Sequence, residues 1–261
     1  MGSIIVNSML TDGSVEQDQI MIYNRTPGRT DVLRASFPRV LIAESAREVA
    51  ERSDILFICT LSRAMAGVLD EIACSIMPGA HLVMISIAMP MEELERICDG
   101  PISVIVPSVA MASGRGVTLM CHSKRTDAAH RDTLSNLFIR SGKVKEVDED
   151  DVEAACDLTS TAPAFIAEMM EQWADSISNE GHISAEDARE MLFETMLGTA
   201  VLLTDKGMSP EKVKEFVATK GGITEQGLIV LEEELPVLYD HVLAATAKKR
   251  REIWGQDGTK S

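Results

Sequence analysis

The chain has 261 residues, 45% apolar and 25% charged, with 25 Lys and Arg against 41 Asp and Glu for a formal net charge of −16. That length suits one large domain or two ordinary ones. So acidic a surface repels phosphate backbones and anionic headgroups, which argues against nucleic acid or a membrane as partner.

In chain order, residues 3–12 read as a helix closed by Gly13. A short apolar run at 20–23 leads into the turn-rich Asn24-Arg25-Thr26-Pro27-Gly28. Runs at 40–42, 55–59, 81–86 and 102–106 read as strands, with helices over 44–52, 63–75 and 91–98 between them. Near-continuous apolar strands alternating with amphipathic helices predict a parallel sheet covered on both faces. A last strand–helix–strand set is expected near 117–121, 127–139 and 143–147. After the acidic Asp148-Glu149-Asp150-Asp151 the chain reads as helices over 150–178, 184–205, 209–218 and 224–252. Pro163 should kink the first and Pro236 interrupt the last. The expected division is therefore an α/β domain over 1–148 and an all-α domain over 149–261.

Met169, Met170, Met191, Met196, Leu197 and Leu202 recur at helical spacings. Each taken singly reads as intramolecular core, while the helices together offer a surface for a second copy of the chain. The basic run 248–251 suits the end of the last helix. No apolar run reaches the ~18–20 residues that span a bilayer, and the start lacks a secretory pattern. Cys59, Cys74, Cys98, Cys121 and Cys156 form no Cys-x-x-Cys pair, and four sit in apolar stretches. They read as buried free thiols in a reducing cytoplasm. The five histidines show no paired ligand spacing, so no metal is expected.

Two segments bear on chemistry. Met1-Gly2 stands where a Gly-x-Gly-x-x-Gly turn would end, with Gly2 as its third glycine; an ordinary start followed by a small residue reads the same way. Asn24-Arg25-Thr26 follows the next strand at the spacing where an acid would bind the ribose of NAD or an Arg the 2′-phosphate of NADP; an Arg without an acid favours NADP. In the helical half, Thr219-Lys220-Gly221-Gly222-Ile223-Thr224 precedes a helix. Its backbone N–H groups offer an anion site, or Gly-Gly simply ends one helix and Thr224 caps the next.

The segment at 219–224 resembles the Ser-Pro-Gly-Gly-Thr-Thr signature of pyrroline-5-carboxylate reductases. Leu158-Thr159-Ser160-Thr161-Ala162-Pro163-Ala164-Phe165 is similar to that family's Ser-Gly-Ser-Gly-Pro-Ala-Tyr helix, and Ile22-Tyr23-Asn24-Arg25-Thr26 to its adenosine-phosphate segment. The chain departs from the family in lacking the first strand and the Gly-x-Gly-Asn half of the phosphate loop. Thr60-Leu61-Ser62 replaces Val-Lys-Pro, and Ala88-Met89-Pro90 replaces Ala-Ala-Gly. It is most similar to the divergent late competence protein (ComER) branch.

The resemblance implies a Rossmann-like NADP-binding domain with its first strand missing, followed by helices that form a homodimer or higher homo-oligomer. It implies NADPH-dependent reduction of the C=N bond of Δ1-pyrroline-5-carboxylate to proline, in the cytoplasm. By the same resemblance Thr224 is catalytic, with Thr219, Gly221, Gly222 and Ile223 binding the imino acid. Gly2, Asn24, Arg25, Thr26, Thr60, Leu61, Ile87 and Ala88 would contact the cofactor. The alternative is a non-catalytic dimeric relative that retains the fold.

Overall fold

The structure, a computed structural model, describes residues 1–26, 28–85 and 89–257. It divides into two compact units, Met1–Pro163 and Ala164–Ser261.

The first unit opens with α1 (Gly2–Thr11), followed by Gly13 in a left-handed conformation. Ile5 and Met9, one turn apart, bury together against Val83, Ile105, Met120 and Phe138. β1 (Met21–Ile22) pairs in parallel with β2 (Leu41–Ile42) across α2 (Gly28–Ser36). The sequence gives α2 little signal, because only Thr30 and Leu33 of it are buried.

Then α3 (Ala46–Arg52), β3 (Ile55–Ile58), α4 (Ser62–Ile72), β4 (His81–Met84), α5 (Met91–Ile97) and β5 (Ile102–Pro107) alternate as the apolar pattern predicts. β3, β4 and β5 run parallel, with Ile55 opposite His81 and Leu82 opposite Ile102. Every residue of β4 is buried. Leu82 and Met84 face Met65, Leu69 and Leu94 of α4 and α5, while Val83 faces α1, so the period-two alternation feeds two separate cores.

β6 (Gly116–His122) departs from the parallel pattern and runs antiparallel to β5. The link between them, built on the 3₁₀ turn Val109–Ser113, is too short for a crossover, which needs a dozen or more residues. α6 (Ala128–Asn136) supplies that crossover to β7 (Gly142–Glu146), which is parallel to β6. The strands form two sheets, β1–β2 and β3 to β7. No strand precedes α1 among the described residues, and β1 and β3 are each paired on one side only.

After α7 (Val152–Cys156), whose Val152 joins the core beneath β4 and β5, comes a π-helical turn at Asp157–Thr161. α8 (Ala162–Asn179) follows, starting at the boundary with the second unit. Pro163 lacks an N–H and crowds the carbonyl four residues back, and the widened turn accommodates it. The hydroxyls of Thr159, Ser160 and Thr161 donate to the carbonyls of Ala155 and Cys156 at 2.9–3.2 Å, which gives the Thr-Ser-Thr run a local purpose.

The second unit adds α9 (Ala185–Thr204), α10 (Pro210–Val217) and α11 (Ile223–Asp257). The interruption expected at Pro236 does not occur: α11 runs through it, the lost bond being confined to one turn. Of the recurring methionines and leucines only Met170 is buried, whereas Met169, Met191, Met196, Leu197 and Leu202 are exposed, so the intramolecular-core reading is corrected. No helix among the described residues is long and apolar enough to cross a membrane. The thiols also need correction. None of the five is in a disulfide, yet Cys98 and Cys121 alone are buried; Cys156 is half-buried, and Cys59, just past a strand end, and Cys74, in a turn, are exposed.

Candidate functional site

α1 begins at the carboxyl end of β3. A Cβ placed on Gly2 would lie 3.0 Å from Cys59 Cβ and 3.4 Å from its Sγ, so a bare backbone lets the helix sit this close. Neither α1 nor α4, which starts after Leu61, has a side-chain cap, so both present open N–H groups. Gly2, Thr60 and Leu61 therefore share one end of β3, with Thr60 and Leu61 exposed. At the carboxyl end of β1, Asn24 Oδ1 accepts the Thr26 N–H at 2.9 Å, and this turn presents exposed Arg25. An uncapped helix start, a missing Cβ and an exposed guanidinium suit a phosphorylated dinucleotide. Ile87 and Ala88 lie outside the described residues.

In the second unit, Thr219, Gly221, Gly222, Ile223 and Thr224 come together in one turn at the head of α11. Gly221 has φ +74°, the left-handed region that favours glycine. The Gly222 N–H donates to Thr219 O at 2.8 Å. A Cβ on Gly222 would run into Thr219 Oγ1 and lie 2.9 Å from Thr219 O, so the turn is this tight only with glycine. Of the three amides expected to grip an anion, that of Gly222 is engaged within the turn and that of Gly221 donates to Glu225 Oε2 at 2.6 Å. The Ile223 amide, at the first helical position, stays at the open end of the dipole, and Thr224 beside it is exposed.

Residues 149–253 match the family described as pyrroline-5-carboxylate reductase dimerisation, and residues 1–90 that of NADP oxidoreductase, coenzyme F420-dependent. The chain is 29% identical over 259 residues to pyrroline-5-carboxylate reductase 3 of Bacillus subtilis, covering 99% of this chain and 95% of that protein. It is 22% identical to ComE operon protein 4 of the same organism, over 97% of this chain and 92% of the other. Over nearly its whole length the chain is similar to pyrroline-5-carboxylate reductases. The fold agrees: the crystal structure of Plasmodium falciparum pyrroline carboxylate reductase with NADP bound superposes with a TM-score of 0.85, at 19% identity and over 97% of this chain and 94% of that one.

Two features of the chain are not visible in its linear order. One is Glu225, whose carboxylate reaches back to the Gly221 N–H; an acid in the first turn of a helix was the available signal. The other is a buried hydrogen-bonded chain at the amino end of β3 and β4, opposite the end where Gly2 sits. His81 Nε2 lies 2.7 Å from Ser103 Oγ, which lies 2.6 Å from His122 Nδ1. His81 lines a cavity of about 410 Å³ with Asp54, Gly79 and His130, and His122 lines another of about 430 Å³ with Arg131, Glu146 and Asp148. Among the described residues, His81 Nδ1 and His122 Nε2 have no hydrogen-bond partner, although Glu146 Oε1 is 3.7 Å from the latter. Burial, aided by the neighbouring His130 and His122, pushes His81 down to about 4; burial also lowers His122, against the pull of Glu146.

Proposed function

We propose that the chain reduces the C=N bond of Δ1-pyrroline-5-carboxylate to give proline, with NADPH as reductant. The observation that carries this reading is the glycine turn at 219–224, held open-ended at the head of α11 inside the segment that matches the dimerisation family. The bound cofactor supplies a hydride to the imine carbon. Gly2 and the uncapped starts of α1 and α4 would hold its phosphates, and Arg25 with Asn24 and Thr26 its 2′-phosphate. At the turn, the Ile223 and Gly221 amides hold the carboxylate of the imino acid, with Thr219 beside them. The Thr224 hydroxyl hydrogen-bonds the ring nitrogen, orients it and assists its protonation. A protonated imine is already electrophilic, so positioning supplies most of the catalysis. The free thiols suit a reducing compartment, and we assign the reaction to the cytoplasm.

The direct test follows NADPH absorbance in the presence of racemic pyrroline-5-carboxylate. Steady loss supports the reading, and no loss above background counts against it. Arg25→Ala is expected to cut the preference for NADPH over NADH about tenfold, read as the ratio of kcat/KM for the two cofactors. We further propose that the exposed stripe on α9 pairs with a second copy of the chain. Leu197, 57% exposed, is the anchor to change. Leu197→Asp should leave a folded monomer by sedimentation velocity, with reductase activity lost alongside the dimer. A second reading, a dimeric relative without turnover, is favoured by the engaged Gly221 amide and the likeness to ComE operon protein 4. NADPH binding by calorimetry without oxidation would select it.

A further inference from the structure

The glycine turn carries a carboxylate of its own. Glu225, the third residue of α11, reaches back so that its Oε2 accepts the Gly221 N–H at 2.6 Å. The Gly222 N–H is committed to Thr219 O. The Glu225 carboxylate thus sits on the amide of the left-handed glycine just ahead of the helix start, the same donor that the proposed function gives to the carboxylate of the imino acid. One N–H serves one strong acceptor, and two carboxylates crowded onto it also repel. Glu225 is tethered by three residues of helix, so it competes from a high local concentration whatever the concentration of substrate.

We propose that Glu225 is a specificity-determining residue: its side chain competes with the substrate carboxylate for the Gly221 amide. That competition shifts the preference of the enzyme toward cyclic imines without a carboxylate. The inference rests on the reductase reading above and deepens it by naming the substrate class that the turn favours. The Thr224 hydroxyl, which stands apart from the Glu225–Gly221 contact, still orients the ring nitrogen in such an imine.

The test compares Δ1-pyrroline-5-carboxylate with 1-pyrroline, the same five-membered imine without the acid, by NADPH oxidation. Wild type, Glu225→Gln and Glu225→Ala are assayed as full chains, with thermal melts to confirm that each is folded. The ratio of kcat/KM for the acid over the bare imine should rise about tenfold in Glu225→Ala and less in Glu225→Gln, with KM for the acid carrying the change. An unchanged or lowered ratio would make Glu225 a helix cap only and overturn the proposal while leaving the reductase reading intact. If wild type and both variants oxidise NADPH with neither imine, the reductase reading falls and this proposal with it.

Discussion

Gly222→Ala is expected to lower kcat/KM for pyrroline-5-carboxylate at least about a hundredfold, while the melting temperature moves by only a few degrees. The added methyl collides with Thr219 Oγ1 and sits 2.9 Å from Thr219 O, in backbone that cannot yield without opening the turn. Opening it displaces the Gly221 and Ile223 amides together and shifts Thr224, so the anchor and the contact to the ring nitrogen fail at once. The turn is exposed and lies outside both hydrophobic cores, which is why stability should hardly register the change. Thr224→Ala separates the two effects. It keeps the amides and removes one hydroxyl, so kcat should fall about ten- to a hundredfold with KM nearly constant. Steady-state kinetics and thermal melts on both variants check this. Turnover of Gly222→Ala close to wild type would show that the turn is not where the acid binds.

Acid should destabilise the fold through the buried His81–Ser103–His122 chain. His81 titrates near its ordinary 6.5 in the unfolded chain but only at about 4 in the native one. Between those values the unfolded state holds a proton that the native state does not, so stability falls as pH drops from about 6.5 to about 4. Above 6.5 the residue contributes nothing to the slope. A shift of that size corresponds to about 3 kcal/mol at most, and the adjoining cavity, which lets solvent screen part of it, brings the expectation to about 2 kcal/mol. His122, also lowered, acts in the same direction. Denaturant titrations at several pH values measure the slope directly. His81→Gln keeps a neutral side chain able to reach Ser103 and removes the titration, so its slope between pH 6.5 and 4 should drop by about one proton. An identical slope in wild type and variant would acquit His81.

The parts of this molecule visible in the linear chain are those whose burial is uniform. β4 and β5 announce themselves because both faces are covered, and the helices between them because one face is. α2 is silent because its charges outnumber its buried side chains, and Leu33 alone among its aliphatics is buried. The reversal of β6 was hidden because strand periodicity is the same in either direction; only the length of the link from β5 reveals it. Pro163 and Pro236 look alike in sequence. The first coincides with a π-turn stitched by three hydroxyls and the second with an unbroken helix, a difference set by neighbours and not by the proline. The glycine turn was legible as a motif, whereas the engagement of its amide by Glu225 required coordinates. The histidine chain could not be read at all, since its members are 22 and 19 residues apart and meet only through strand register.

The separation of β1 and β2 from the larger sheet has a consequence for how this protein would respond to its cofactor. A parallel ribbon of two residues per strand, with Leu41 and Ile42 facing solvent, has almost nothing of its own to resist fraying. Its amides should exchange with deuterium far sooner than those of β4. Because Asn24, Arg25 and Thr26 hang from that ribbon, adenosine-side contacts would tether a weakly held corner of the molecule. Much of the affinity would then be diverted into quieting local breathing, so the grip on NADPH should tighten on modest cooling more than a rigid cradle would allow.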